Sequence, residues 1–204
     1  MSDNVDSQND LDKTHSRIRR EIYVRERLRR ETILELYGMT TGFGVLPSFV
    51  YSWMAGGSLH EYLKRQHSDL PARWRFDILV QVADGIKYLH KQDIVHGNLT
   101  GDNILLDASG RARIADFSHS VILAEADSRI FSEQLPGDAR YVSPECIASG
   151  CQTGIPKPTK AGDVYSYGCV AILVCRERRR TGGSMKRVKF LWKKSGAQRL
   201  FFRP

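Results

Sequence analysis

The stretch His96-Gly97-Asn98-Leu99-Thr100-Gly101-Asp102-Asn103, followed thirteen residues after Asn103 by Asp116-Phe117-Ser118, decides how this chain is read. Ile94-Val95 leads into it, and Ile104 to Leu106 with Ala112 to Ile114 read as a hairpin turning through Ala108-Ser109-Gly110. Upstream, Phe76, Leu79, Ala83, Ile86 and Leu89 recur at three- and four-residue spacing between Pro71 and His90, predicting an amphipathic helix with Pro71 as its start signal. Gly56-Gly57 breaks the chain before a shorter helix around Leu59 to Arg65. Further out, Ile33 to Tyr37 and Ser48 to Trp53 suit two strands, separated by Gly38, Gly42, Gly44 and Pro47. Ser16 to Arg30 reads as a surface helix with one packed face of Ile18, Ile22, Val24 and Leu28, and Glu21 lies early on it. Downstream, a long irregular segment runs to Glu145. A helix from Lys160 to about Cys175 follows, apolar nearly all round from Tyr165 onward, which implies burial at the centre of a lobe.

Length and composition narrow the class. With 204 residues and 41% hydrophobic content the chain can bury one good core, and no run approaches the roughly 18 apolar residues needed to span a membrane. Met1 to Asp12 is polar and acidic without the apolar stretch of a secretory signal, so a cytoplasmic location is expected, and residues 1–14 read as a disordered lead. Cysteines at 146, 151, 169 and 175 form no Cys-x-x-Cys pair and suggest reduced thiols. The formal charge of +8 is concentrated: residues 176–204 hold eleven Lys or Arg against one Glu, so the rest of the chain is close to neutral.

The opening stretch resembles the catalytic loop of protein kinases, H-R-D-L-x-x-x-N, followed by the D-F-G triplet. Three more motifs stand in the family's order. Ser143-Pro144-Glu145 is similar to its A-P-E, Asp163-Val164-Tyr165-Ser166-Tyr167-Gly168 to its D-V-Y-S-F-G helix, and Tyr51 to Leu59 to its hinge. Glu21, flanked by Arg20 and Ile22, resembles the first helix of the small lobe. The cast is closest to tyrosine-kinase-like and tyrosine kinases and covers residues 15–175. It implies an α+β, protein kinase-like fold: part of a small lobe, with the first helix and two strands, and a mainly helical large lobe cut after its central helix.

The resemblance also assigns chemistry, with ATP and magnesium as implied cofactors held weakly or not at all. Asn103 and Asp116 fall on the metal-ligand positions, and oxygen donors suit a hard cation. Backbone groups of Ser52 and Met54, with Leu105 as floor, fall on the nucleotide-binding positions. The catalytic positions are altered. Asn98 stands where the base carboxylate belongs, and an amide cannot accept a proton near neutral pH, a loss typically of about 10² to 10⁴ in rate. Thr100 stands where active relatives carry a lysine that neutralises the moving phosphoryl. Gly97 replaces the arginine that grips a phosphorylated activation segment, Ser118 the glycine of D-F-G, and Asp138 a common threonine. Asp102 is the one carboxylate near enough to be considered as a substitute base. Ser120, Ser128, Ser132 and Tyr141 read as passive loop residues rather than phosphorylation sites.

Other parts of the family pattern are missing. No G-x-G-x-x-G-x-V and no V-A-I-K precede Glu21; Gly42-Phe43-Gly44 lacks the third glycine and follows the helix, and Lys13 is the single lysine upstream. Residues 176–204, with Arg178-Arg179-Arg180, Lys186-Arg187 and Lys193-Lys194 among Phe190, Trp192, Phe201 and Phe202, resemble no kinase helix and read as a basic non-kinase tail. A lobe cut at Cys175 is expected to bare apolar surface and to need a protein partner. Three functions follow: a catalytically impaired pseudokinase or kinase fragment, an active ATP-dependent protein kinase, or a nucleic-acid-binding protein led by the basic tail, which alone would give nucleic acid or the nucleus a role.

Overall fold

The computed structural model describes residues 15, 18–43, 47–66, 70–123, 138–153, 158–176 and 199–202. The expectations for residues 1–14, Lys13, Gly44, Ser128, Ser132 and the tail between 177 and 198 lie outside the described residues. The fold class is the expected one. A helix (α1, residues 18–25) precedes two antiparallel strands, β1 (Leu36–Thr40) and β2 (Ser48–Ser52), and a helical part follows. That part holds β3 (Gly57–Ser58), α2 (Leu59–Gln66), α3 (Ala72–Lys91), β4 (Ile94–Val95), β5 (Ile104–Leu106), β6 (Ala112–Ile114), β7 (Val121–Ile122), α4 (Pro144–Thr153) and α5 (Lys160–Cys175). A last strand, β8 (Arg199–Phe202), pairs parallel to β2 with Ser52 opposite Phe202, so four residues of the predicted non-kinase tail join the sheet of the first part.

Four local expectations change. The helix expected to run to Arg30 turns at residues 26–27, and besides Ile18, Val24 and Leu28 it buries Arg20, Glu21 and Arg25, so it is packed on more than one face. The strand expected at Ile33 begins at Leu36. Residues 32–34 run instead along β6, where the Leu34 amide donates to the Ile114 carbonyl at 2.9 Å and the Ile114 amide to the Thr32 carbonyl at 2.8 Å. In α3 the buried stripe is Ile78, Val82, Gly85, Ile86 and Leu89, and Phe76 lies outside it, 67% exposed. In α5 the buried positions are Asp163, Ser166, Val170 and Val174, the face toward α3 and the 3-10 turn Ala139–Tyr141. Among the described residues Val164, Tyr165 and Ile172 remain exposed, so the helix is not buried all round.

Two apolar clusters organise the core. The larger gathers α3, the β5/β6 hairpin and Val170 and Val174 of α5 around Leu99, Phe117 and Tyr141. The smaller joins Ile18, Leu34, Phe49, Tyr51, Met54, Leu105 and Ala115. The hairpin turns as expected: Asp107 Oδ1 accepts from the amides of Ser109 and Arg111, and Gly110 takes the left-handed conformation. The loop of residues 96–103 is anchored in the larger cluster through Leu99. No described helix is long and apolar enough to cross a membrane.

Candidate functional site

The loop is built on a buried carboxylate. Asp163, at the start of α5 and 2% exposed, accepts from the amides of His96 (2.8 Å) and Gly97 (2.9 Å) and is bonded to His90 Nε2 at 2.8 Å. Three contacts from two segments fix where the loop begins. His96 is fully buried. Its Nδ1 accepts from the Asn98 amide at 3.2 Å, so the ring proton sits on Nε2 and donates to the Ala115 carbonyl at 3.0 Å. Burial pushes the His96 pKa down, and the neutral ring suits these two bonds.

Gly97 shows why its substitution is more than a lost arginine. Its φ of +73° is a left-handed conformation, and a Cβ there would lie 2.7 Å from the His119 carbonyl oxygen and 3.0 Å from the Pro158 ring. The loop as folded has no room for any side chain at this position.

Beyond Gly97 the loop folds back on itself. Asn103 Nδ2 donates to the Asn98 carbonyl at 2.7 Å, which orients the Asn103 amide and leaves its oxygen as the acceptor end. The Ala115 amide donates to the Asn103 carbonyl at 2.8 Å, bringing the residue before Asp116 against Asn103. Asp116 adopts φ +65°, and its Oδ1 accepts from Ser118 Oγ at 2.6 Å and the Ser118 amide at 3.3 Å. Asn98 is half-buried and Thr100 buried, so the two altered catalytic positions stand in the same loop as Asn103. Asn103 and Asp116 offer amide and carboxylate oxygens, a donor set that fits magnesium. Among the described residues no three His, Cys, Asp or Glu side chains gather as a metal cluster.

Asp102 lies beside His60 of α2 and is half exposed. Its Oδ1 lies 3.8 Å from His60 Nδ1, and burial pushes the His60 pKa down despite that carboxylate, so near neutrality the contact is not a salt bridge. Ser120 is buried and donates to the His96 carbonyl at 3.0 Å, and Tyr141 is buried in the larger core; both are structural. Asp138 caps the turn at Ala139–Tyr141 and chelates Arg140 at 3.0 and 2.8 Å.

Met54 and Leu105, expected at the nucleotide, meet in the smaller apolar cluster with Ala115, while Ser52 ends β2 half-buried. Tyr51, at the head of the hinge-like segment, reaches the other way: its hydroxyl donates to Glu21 Oε1 at 2.5 Å. The same carboxylate oxygen lies 3.5 Å from Arg25 Nη2, in a pair exposed by 2% and 3%. Arg25 also donates to the Leu34 carbonyl, and its guanidinium lies 4.5 Å from the Phe117 ring centroid and 5.1 Å from that of Tyr51. His96 and Phe117 rings are in turn 5.1 Å apart. A continuous stack therefore runs Asp163, His96, Phe117, Arg25, Leu34. Sequence reasoning missed Arg25, although its i+4 spacing from Glu21 is the one at which helical side chains pair.

Comparison with known proteins adds a family. The family described as Protein tyrosine and serine/threonine kinase matches residues 5–201. The probable LRR receptor-like serine/threonine-protein kinase IRK of Arabidopsis thaliana is 30% identical over 169 residues, 80% of this chain and 17% of the relative. A PTI1-like tyrosine-protein kinase of the same plant is 31% identical over 165 residues, 78% of this chain and 44% of its own length. The probable serine/threonine-protein kinase kinX of Dictyostelium discoideum is 30% identical over 155 residues, 76% of this chain and 13% of its own. The chain thus spans less than half the length of each of these relatives.

Proposed function

The chain belongs to the protein tyrosine and serine/threonine kinase family, and from that premise we propose that it is a catalytically impaired member, a pseudokinase, that holds ATP and magnesium at most weakly and acts through a protein partner. The observation that carries this reading is the identity and setting of Asn98. An amide stands in the loop where the family places its proton acceptor, and its backbone is held on both sides, by His96 and by Asn103. It can orient a hydroxyl by hydrogen bonding but cannot take its proton.

When bound, ATP with magnesium would supply the phosphoryl group and neutralise its charge. Asn103 and Asp116 are the residues that would hold the ion, and Ser52, Met54 and Leu105 those that would meet the base. Thr100 provides no cation toward a transferring group. Glu21 is already compensated by Arg25 and Tyr51, so the helix α1 is held in place by contacts within the chain. The proposed site of action is the cytoplasm, as expected of a domain of this family that draws on ATP.

The purified chain is expected to show no phosphorylation of itself or of a generic protein substrate, measured with radiolabelled ATP and magnesium or manganese. Phosphorylation that disappears in Asp116→Ala would establish the competing reading, an active protein kinase, which the retained Asn103 and Asp116 favour.

A further inference from the structure

Ser118 makes a contact that a glycine could not. It is 4% exposed, and its hydroxyl donates to Asp116 Oδ1 at 2.6 Å, a short charge-assisted bond, while its own amide reaches the same oxygen at 3.3 Å. Its carbonyl accepts from Arg20 Nη1 at 3.2 Å, and Arg20 is itself buried in α1. Residue 118 is therefore tied at one end to α1 and at the other to the carboxylate.

A carboxylate oxygen that accepts a hydrogen bond from a hydroxyl offers less electron density and one fewer lone pair to a cation. If the ion takes that lone pair, the Ser118 hydroxyl loses its acceptor inside a buried segment, and an unsatisfied buried donor is costly. We propose that Ser118 is a positioning residue that competes with a divalent cation for Asp116, holding the carboxylate in a self-satisfied, ion-free arrangement. This rests on the reading that Asp116 is the carboxylate that would hold the ion.

The test is Mn²⁺ binding to the full chain, followed by loss of the free-ion electron paramagnetic resonance signal. Ser118→Ala removes the hydroxyl and keeps the Cβ; it is expected to bind Mn²⁺ about tenfold or more tightly than the parent chain, with Mg²⁺ displacing the Mn²⁺. Adding Asp116→Ala is expected to abolish the gain. Equal affinities in the parent and Ser118→Ala, no binding by either, or a gain that survives Asp116→Ala overturns the proposal. Should Ser118→Ala lose its circular-dichroism signature of folding, Ser118→Gly carries the same comparison. ATP binding without metal, read by thermal shift, tests the nucleotide reading separately, so failure of one is distinguishable from failure of the other.

Discussion

At the scale of single residues, the loop has adapted around its substitutions. Gly97 occupies a left-handed conformation under the His119 carbonyl and beside Pro158, and its amide is committed to Asp163. An L-residue in that conformation costs about 1–2 kcal/mol before any clash is counted. Gly97→Ala is expected to lower stability by at least about 2 kcal/mol, measured as a shifted urea midpoint with unchanged slope. Restoring the family's arginine there would therefore unfold the loop rather than repair it. Asn98 differs: its amide and carbonyl bonds to His96 and Asn103 do not depend on its side chain, so the chemistry at 98 and the architecture at 97 are separable.

At the scale of elements, α1 is where sequence and structure part most. Its arginines and glutamate read as solvent-facing, yet Glu21 and Arg25 are buried as a pair under Tyr51 and beside Phe117. The pairing is imperfect, because among the described residues Arg25 Nε and Nη2 find no hydrogen-bond acceptor. Removing one charge alone leaves the other buried and uncompensated, whereas removing both does not. Arg25→Met is expected to destabilise by about 3 kcal/mol, and Glu21→Gln added to it to recover at least about 1 kcal/mol, as a double-mutant cycle in denaturant would show. The elements legible in the sequence are those specified locally: α3 by its period and Pro71, the β5/β6 hairpin by its turn residues, and α5 by its apolar run. Those misjudged answer to distant partners. Residues 32–34 are drawn to β6, some 80 residues away in sequence, and the exposed Phe76 shares α3 with a stripe that only the packed face reveals. In the candidate site, the ligand-type residues Asn103 and Asp116 are legible as motif positions, while the support that Asp163 gives to His90, His96 and Gly97 acts across 66 to 73 residues, a contact that spacing along the chain does not record.

At the scale of the whole molecule, two histidines contribute to the response to mild acid. Burial lowers the pKa of His96 and of His60, so the unfolded chain binds their protons more readily than the folded one. Their contribution to stability is complete above the unfolded value of about 6.5 and is lost as pH falls through the lower folded values. The melting temperature is expected to fall on acidification below about pH 6.5, and His60→Gln to reduce that slope without removing it, since His96 remains. The bare apolar side chains of α5 act at the same scale: Val164 and Ile172 expose well over half their surface among the described residues, the kind of surface a partner would cover.

The pairing of β2 with β8 joins positions about 150 residues apart in sequence. A contact of such separation is slow to form, because the closure entropy of the intervening chain must be met before the ladder repays it. The strand is thus expected to pair late in folding, and amide exchange along that edge of β2 is expected to show a local opening well below the global unfolding free energy. The sheet beside the hinge-like segment has a kinetic seam, set by when in folding its third strand is delivered.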